Sequence, residues 1–392
     1  VPIYLHLAGF ESHQAIMTGT NPVTIEIRAL GNEMRAISRE NVRQYDFAYF
    51  LEHLGENYPF FEMALRRGVN IEAITEEALE SLEATAREVG RNFLWEFVND
   101  NFTSHFNGLG QLYLASEQTH LGAWITHPYF YGYEEFRFYT EGFDLPMRND
   151  NLVTTMAGDG TAHMRVNSFL ARGYEGLMHQ PFWRFDFEAE QNQIMEFYSS
   201  LGGTQDLFID IRGINEGFCE YFIPLILEPN ITAPIEATFY AFHMNGTFAN
   251  GVSRAFRAHY GIAAPVNAQT LSANMPYANE NDFEHLRHGF AIPLSAQPAA
   301  SQPAFGGNIW LITDSCNFSG PNQMYLYLAQ LAGFNIIYEQ NSQSRGWATA
   351  YHTLPFSGFR IRLNPLYFTD SEGRALEEFR IVTYTSLSDT LN

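Results

Sequence analysis

Two apolar stretches in the second half of the chain each end in residues that could take part in chemistry. They occupy residues 206–213 and 308–321, and apolar side chains run nearly unbroken through both, which predicts two short buried strands. Pro321 then begins a helical pattern that ends at Gly333. Ser319 is therefore predicted at a strand-to-helix turn. Unpaired backbone N–H groups at a helix N-terminus can hold an oxyanion, which makes Ser319 a candidate nucleophile.

The chain contains no lysine, because all 22 of its basic residues are arginine. A Ser–Lys catalytic dyad is therefore excluded, and arginine cannot replace the lysine because it stays protonated. A serine at such a turn is more commonly a helix cap than a nucleophile, and that alternative stays open.

Composition limits the classes of function. A chain of 392 residues with 46% hydrophobic residues is globular and forms one large or two ordinary domains. The net charge of −22 argues against nucleic acid or an anionic membrane as a partner. No apolar run approaches the ~20 residues of a membrane span. The chain begins at Val1, which suggests a mature, exported product whose signal segment is absent.

No cofactor or metal is expected. Cys219 and Cys316 lie just beside the turns that end the two apolar stretches, and either a disulfide bridge or two buried thiols would fit them. His285 and His288 have the i, i+3 spacing of helical metal ligands, but no third ligand is evident.

The periodicity of apolar residues divides the chain into three parts. Residues 1–107 are predicted as a strand followed by helices that begin after Ser38, near Ile74 and near Phe93. Residues 108–150 form an aromatic, glycine-rich linker region. Residues 151–392 alternate strands with helices and are predicted as an α/β core.

Within that core, the pattern predicts a hairpin near residues 156–162 and a helix from Phe187 to Ser200. Residues 260–306 are rich in Ala, Pro, Asn and Gln and are expected to be a long irregular insert. The helix that follows Ser319 is predicted to bury Met324, Leu328 and Leu331 on one face.

Five segments, in this order along the chain, resemble the tail-specific or C-terminal-processing serine peptidase family. They are the helical segment 45–61, the Asp-Ile-Arg-Gly run that ends at Gly213, the Asp-x-x-x-x-Ser run that ends at Ser319, the Leu-Pro-Phe-Ser-Gly run 354–358 and the Asp-Ser-Glu-Gly run 370–373. The resemblance implies a crotonase-like ββα-spiral core that hydrolyses peptides through an acyl-enzyme. Many members also carry a PDZ domain, for which residues 108–150 are too short.

The resemblance also implies a nucleophile and a base. Ser319 matches the nucleophile by position. Processing peptidases place a lysine base at a position matched here by a site near Arg345, which cannot act as a base. A tricorn-like member instead uses a Ser-His pair, which points to His105 as general base and then general acid.

The remaining roles follow from the same resemblance. Ser104 and either Glu377 or Glu378 would orient and polarise the histidine. The backbone N–H groups of Gly213 and Gly320 would form the oxyanion hole.

This sequence departs from the family pattern at several positions. The segment after Gly213 contains Glu216, where paired glycines are usual, and Asn322 stands where the family has an acidic residue. The leading hypothesis is a secreted bacterial serine peptidase that cleaves polypeptides. The alternative is a catalytically retired descendant that acts as a binding or assembly subunit, and a homo-oligomer stays open in either case.

Overall fold

The structure is a computed structural model of the chain. It describes residues 39–84, 93–106, 109, 112–115, 151–157, 160–167, 187–214, 218–314, 320–339, 350–354 and 360–378. Ser319, Cys316, Glu216, Arg345 and the strand expected within 1–36 lie outside these residues.

Helices account for most of the N-terminal part and for one layer of the core. In chain order they are α1 (Arg39–Asn57), α2 (Phe61–Arg66), α3 (Ile71–Ala84), α4 (Phe93–Asn101), α5 (Phe187–Ser200), α6 (Thr247–His259), α7 (Ala268–Ser272), α8 (Glu280–Glu284) and α9 (Gly320–Leu331). A 3₁₀ turn spans Thr103–Phe106, and a π-helix spans Phe218–Leu227. None of the helices in the described ranges has the length and apolarity needed to cross a membrane.

Within the described ranges, twelve strands form three sheets. In chain order they are β1 (Leu112–Ala115), β2 (Leu152–Met156), β3 (Thr161–Val166), β4 (Asp206–Asp210), β5 (Ile235–His243), β6 (Val266–Asn267), β7 (His288–Ala296), β8 (Asn308–Asp314), β9 (Asn335–Glu339), β10 (Ala350–Thr353), β11 (Arg360–Leu363) and β12 (Tyr367–Thr369). The sheet orders are β1-β11-β10, β12-β5-β7-β6 and β2-β3-β4-β8-β9.

The five-stranded sheet carries the candidate site. An antiparallel hairpin joins β2 to β3, as the sequence predicts, with Gly160 in its turn at φ 85°. The pairs β3–β4, β4–β8 and β8–β9 are parallel. Their inner face packs on α5, on the π-helix and on α9, which gives the central strands the buried, nearly continuous apolar sequence expected of a parallel sheet.

The four-stranded sheet separates two further apolar clusters. Phe242 faces a cluster with the N-terminal helices, and Phe239 and Ala241 face a cluster with α6, Met324 and Phe368. Met324 and Leu328 of α9 are fully buried as predicted, but Leu331 is 48% exposed because it lies in the last turn of the helix.

Residues 260–306 are more regular than the sequence analysis expects. They contain α7, α8 and the nine-residue strand β7, which pairs with β5 along its whole length. The alternation that would reveal β7 is interrupted by Pro293. Proline removes a backbone donor and is tolerated where a strand lacks a neighbour on one side. Strand β6 pairs only with Gly289 and His288, so among the described strands Pro293 has no neighbour on that side of β7.

The N-terminal helices are fixed to the core by polar contacts as well as apolar ones. The Asn57 side chain, at the end of α1, accepts a hydrogen bond from Ala249 N at 2.9 Å and donates to His53 O at 2.9 Å. Asn57 is buried, and Gly246, the residue before α6, lies directly against it. A side chain at position 246 would overlap Asn57 and the Glu56 carbonyl.

We therefore expect Gly246→Ala to destabilise the protein by about 1–3 kcal/mol, because the added methyl group overpacks the α1–α6 contact. Gly251→Ala is the matched control in the same helix, since nothing lies within 4 Å of its added methyl group. That control should stabilise the protein by about 0.5–1 kcal/mol, because alanine favours a helix interior over glycine. Urea unfolding measures both, and equal effects would contradict the packing described here.

Candidate active site

The candidate site lies where β4 and β8 end side by side. Asp210 pairs with Ile312 in the parallel register, and Ile211 N continues the ladder by donating to Ile312 O at 2.9 Å. The chain then turns at Gly213, which has φ 83°, a conformation that favours glycine. On the neighbouring strand, Asp314 ends β8.

One hydrogen bond joins the two strand ends. The backbone N of Gly213 donates to Asp314 Oδ2 at 2.9 Å. This N–H group is the predicted oxyanion-hole donor, but in the structure it donates to a carboxylate. A substrate oxyanion would have to replace that carboxylate to receive the same hydrogen bond.

Asp210 stabilises the start of the same turn. Its carboxylate accepts hydrogen bonds from Arg212 N at 3.1 Å and Arg212 Nε at 2.9 Å, and it pairs with Arg165 Nη1 at 2.7 Å. Burial acts to raise the pKa of Asp210, but the hydrogen bonds from Arg212 and the charges of Arg212 and Arg165 lower it below the ordinary value. The carboxylate therefore stays ionised and fixes the turn that presents Gly213.

The predicted strand-to-helix transition around Ser319 is confirmed at both ends. Strand β8 ends at Asp314, and α9 is described from Gly320 onward, while Ser319 itself lies outside the described residues. Two buried oxygen atoms beside this interval, Thr313 Oγ1 and Gln323 Oε1, have no hydrogen-bond partner among the described residues. Buried polar atoms normally find partners, so these two atoms mark the end of the sheet as a polar site.

Ser104 and His105 lie in the 3₁₀ turn that follows α4, and both are exposed. Ser104 Oγ donates to Asp100 O at 2.8 Å. The His105 backbone N donates to Phe102 O, while its ring has no hydrogen bond to any described residue. No described contact joins this pair to the Gly213 turn or to α9.

The structure distinguishes the two candidate glutamates. Glu378 is on the surface, 46% exposed, where Arg66 Nη2 donates to its carboxylate at 2.9 Å. Glu377 is half-buried, and its Oε2 atom is buried without a partner among the described residues. Burial is the main cause that raises the pKa of Glu377 from 4.5 to about 8.

One tyrosine, Tyr58, contacts the segment that carries His105 and is also influenced by the charge of Glu377. The buried Tyr58 donates its hydroxyl hydrogen to Leu109 O, and its ring lies 5.8 Å from that of Phe106 in an edge-to-face contact. Burial, and next the charge of Glu377, raise the pKa of Tyr58. The N-terminal helices therefore place the His105 segment and Glu377 on the same side of the molecule.

Sequence reasoning missed the carboxylate partner of Gly213 and the polar atoms of Thr313 and Gln323. The Gly213–Asp314 bond joins residues 101 positions apart, and only the strand register reveals it. Gln323 gives only a weak local signal, because it is one of several polar residues in α9. Its burial could not be inferred without knowing how α9 packs.

Comparison with known proteins supports the fold. The structure is similar to the crystal structure of a candidate peptidase from Parabacteroides merdae, with a TM-score of 0.50, 12% sequence identity and 86% of each chain covered. Mature CPAF gives a TM-score of 0.48 at 10% identity over 86% of this chain and 91% of that one. The photosystem II D1 C-terminal processing protease gives 0.32 at 8% identity, over 61% and 48%.

No model of a known protein family matches the sequence, and a sequence search of curated proteins gives no match. The mixed α/β class predicted from the sequence is confirmed, and the similar structures include peptidases. A TM-score of 0.50 at 12% sequence identity indicates a shared fold but does not show which residues act. The structures with TM-scores below 0.5 support no conclusion about this chain.

The raised pKa of Glu377 predicts a pH dependence of stability. The native state keeps a proton that the unfolded chain loses above pH 4.5, so the free energy of unfolding falls as the pH rises from 4.5 to about 8. Glu377→Gln mimics the protonated form and removes this loss. Its Tm should match that of the native protein at pH 4 and exceed it at pH 8.

Glu378→Gln is the matched control. It removes an exposed ion pair with Arg66, which contributes little to stability. A Glu377→Gln variant whose Tm advantage is the same at pH 4 and pH 8 would show that Glu377 does not hold the proton.

Proposed function

We propose that this protein is a serine peptidase that hydrolyses polypeptides through an acyl-enzyme on Ser319, on a crotonase-like core. The observation that carries the proposal is the parallel pairing of β4 and β8. This pairing sets the glycine turn at Gly213 beside the interval that ends at the N-terminus of α9. The proposal places the nucleophile Ser319 and the backbone donors at this edge of the sheet.

In the proposed reaction, Ser319 Oγ attacks the scissile carbonyl carbon while His105 removes the hydroxyl proton. The tetrahedral intermediate collapses when the C–N bond breaks, and His105 gives its proton to the leaving amine. Water then attacks the acyl-enzyme with the same histidine as base, which releases the carboxylic acid and restores Ser319. The exposed ring of His105 must approach Ser319 for this chemistry, with Ser104 beside it.

Glu377 is a better orienting group than Glu378. Its buried Oε2 lacks a partner among the described residues, and its charge acts on Tyr58, which contacts the His105 segment. Glu378 is already engaged by Arg66 at the surface. The oxyanion donors in this proposal are the N–H groups of Gly213, once Asp314 has moved away, and Gly320.

The Gly213–Asp314 hydrogen bond favours a second candidate. A carboxylate that satisfies the oxyanion donor at 2.9 Å would repel the developing negative charge. In this second candidate the protein is a retired peptidase whose surface binds polypeptides without cleaving them. In both forms of the proposal, the protein comes from a bacterium and is exported to the cell envelope or beyond.

A fluorophosphonate probe separates the two candidates, because it reacts only with an activated serine. We expect the native protein to be labelled, Ser319→Ala to lose labelling completely, and His105→Ala to be labelled about 10²–10⁴ times more slowly, since its general base is gone. Gel fluorescence against time gives the rates. Ser199→Ala and His163→Ala are matched controls, because both residues are exposed and lie away from the strand ends.

Labelling that survives in Ser319→Ala would contradict the proposed nucleophile. An unlabelled but folded native protein would favour the retired form. In that case Asp314→Ala should be tested next, since labelling gained by that variant would show that the carboxylate blocks a competent site.

A further inference from the structure

Two histidines outside the candidate active site form an arrangement suited to a metal ion. His243 ends β5 and His288 begins β7, and the two residues face each other directly in the antiparallel register. Their ring centroids lie 5.2 Å apart. Side chains of directly paired residues share one face of the sheet, so both imidazoles lie on the same side.

Each ring has one nitrogen tied to a carbonyl oxygen. His243 Nδ1 donates to Met244 O at 2.8 Å, and His288 Nε2 donates to the side-chain oxygen of Asn245 at 3.2 Å. Because a carbonyl oxygen only accepts, those nitrogens carry the protons. The lone pairs are therefore on His243 Nε2 and His288 Nδ1. Metal-binding histidines are oriented in this way by outer hydrogen bonds.

The free lone pair of His243 is buried. The residue is 1% exposed, and its Nε2 atom has no hydrogen-bond partner in the part of the chain that the structure describes. A buried acceptor without a donor is costly, so the atom is expected to serve a ligand. Burial also lowers the pKa of His243 to about 4, which keeps the ring neutral, as metal binding requires.

We propose that His243 and His288 bind a divalent transition-metal ion of the zinc type, with water in the remaining positions. With a metal–nitrogen distance of about 2.1 Å, two imidazoles on one tetrahedral ion have centroids roughly 5 Å apart, which agrees with the observed 5.2 Å. Neutral imidazole is a preferred ligand for zinc, copper and nickel. His288 is half-buried and leaves the ion a route from solvent.

This site differs from the helical pair considered in the sequence. His285 lies at the end of α8 with its ring 3.5 Å from Glu62, and it does not join His288. Strand pairing between distant segments, not helical spacing, supplies the second histidine. Among the described residues, no group of three or more His, Cys, Asp or Glu side chains is placed to hold a metal, so the ion's remaining ligands in this proposal are water molecules.

The positive charge of Arg257 is expected to weaken metal binding, which allows a second test of the site. Arg257, on the neighbouring helix α6, is close enough for its positive charge to act on His243. Arg257 also donates to Ala263 O at 3.3 Å, so it is not essential to the pair itself. Replacing its charge should tighten metal binding, because a cation near the site repels another cation.

The test is titration of the EDTA-treated full chain with ZnCl₂ by calorimetry, with the Tm followed in parallel. We expect one saturable site and a Tm increase that EDTA reverses. His243→Asn and His288→Asn should lose the site, Asn245→Ala should weaken it about 10–100-fold, and Arg257→Gln should strengthen it. His285→Asn is the matched control and should bind like the native protein.

Circular dichroism verifies that each variant folds. Because His288 is half-buried, His288→Asn is expected to disturb folding less than His243→Asn. A native protein without a saturable site would overturn the proposal. So would a folded His288→Asn variant that binds zinc like the native protein, or loss of the site in His285→Asn.

Discussion

Parallel pairing between β4 and β8 is the constraint on which the candidate site depends. The two strands come from segments about a hundred residues apart, and their register sets Gly213 next to Asp314. Because both strands run in the same direction, both of their carboxyl ends reach the same edge of the sheet, where open α/β sheets commonly place their ligand sites. Helix α9 follows β8 along the chain and begins at Gly320.

A second set of contacts decides where the N-terminal helices, and with them His105, lie. The His53 and His352 rings are stacked 4.0 Å apart between α1 and β10, and Tyr49 Oη lies 2.7 Å from His352 Nε2. At the other end, Arg66 bonds the buried carboxylate of Asp282, which also accepts from Tyr367 Oη at 2.7 Å. Burial is the main cause that lowers the pKa of His53 to about 4, so the His53 ring is uncharged at neutral pH. Aromatic stacking, hydrogen bonding and the Arg66–Asp282 ion pair therefore hold the helices to the core.

Local patterns in the sequence were sufficient to predict the elements but not their contacts. The apolar runs at β4 and β8, the helix 187–200 and the beginning of α9 all follow from periodicity and from breakers such as Pro321 and Gly333. Strand β7 was missed because its alternation is weak. The different environments of Glu377 and Glu378 and the pairing of His243 with His288 arise from tertiary contacts that no local pattern encodes. The same is true of the Gly213–Asp314 bond, in which a residue expected to serve catalysis is held by a carboxylate.

The most direct test of the central claim is to locate a covalent phosphonate adduct on the native protein by tandem mass spectrometry. Because the chain lacks lysine, trypsin cleaves only after arginine, and Ser319 lies in the peptide 288–345 together with other serines. Fragmentation of that peptide assigns the modified residue. The account predicts a single adduct on Ser319. An adduct on another serine, or none on the folded protein, would contradict it.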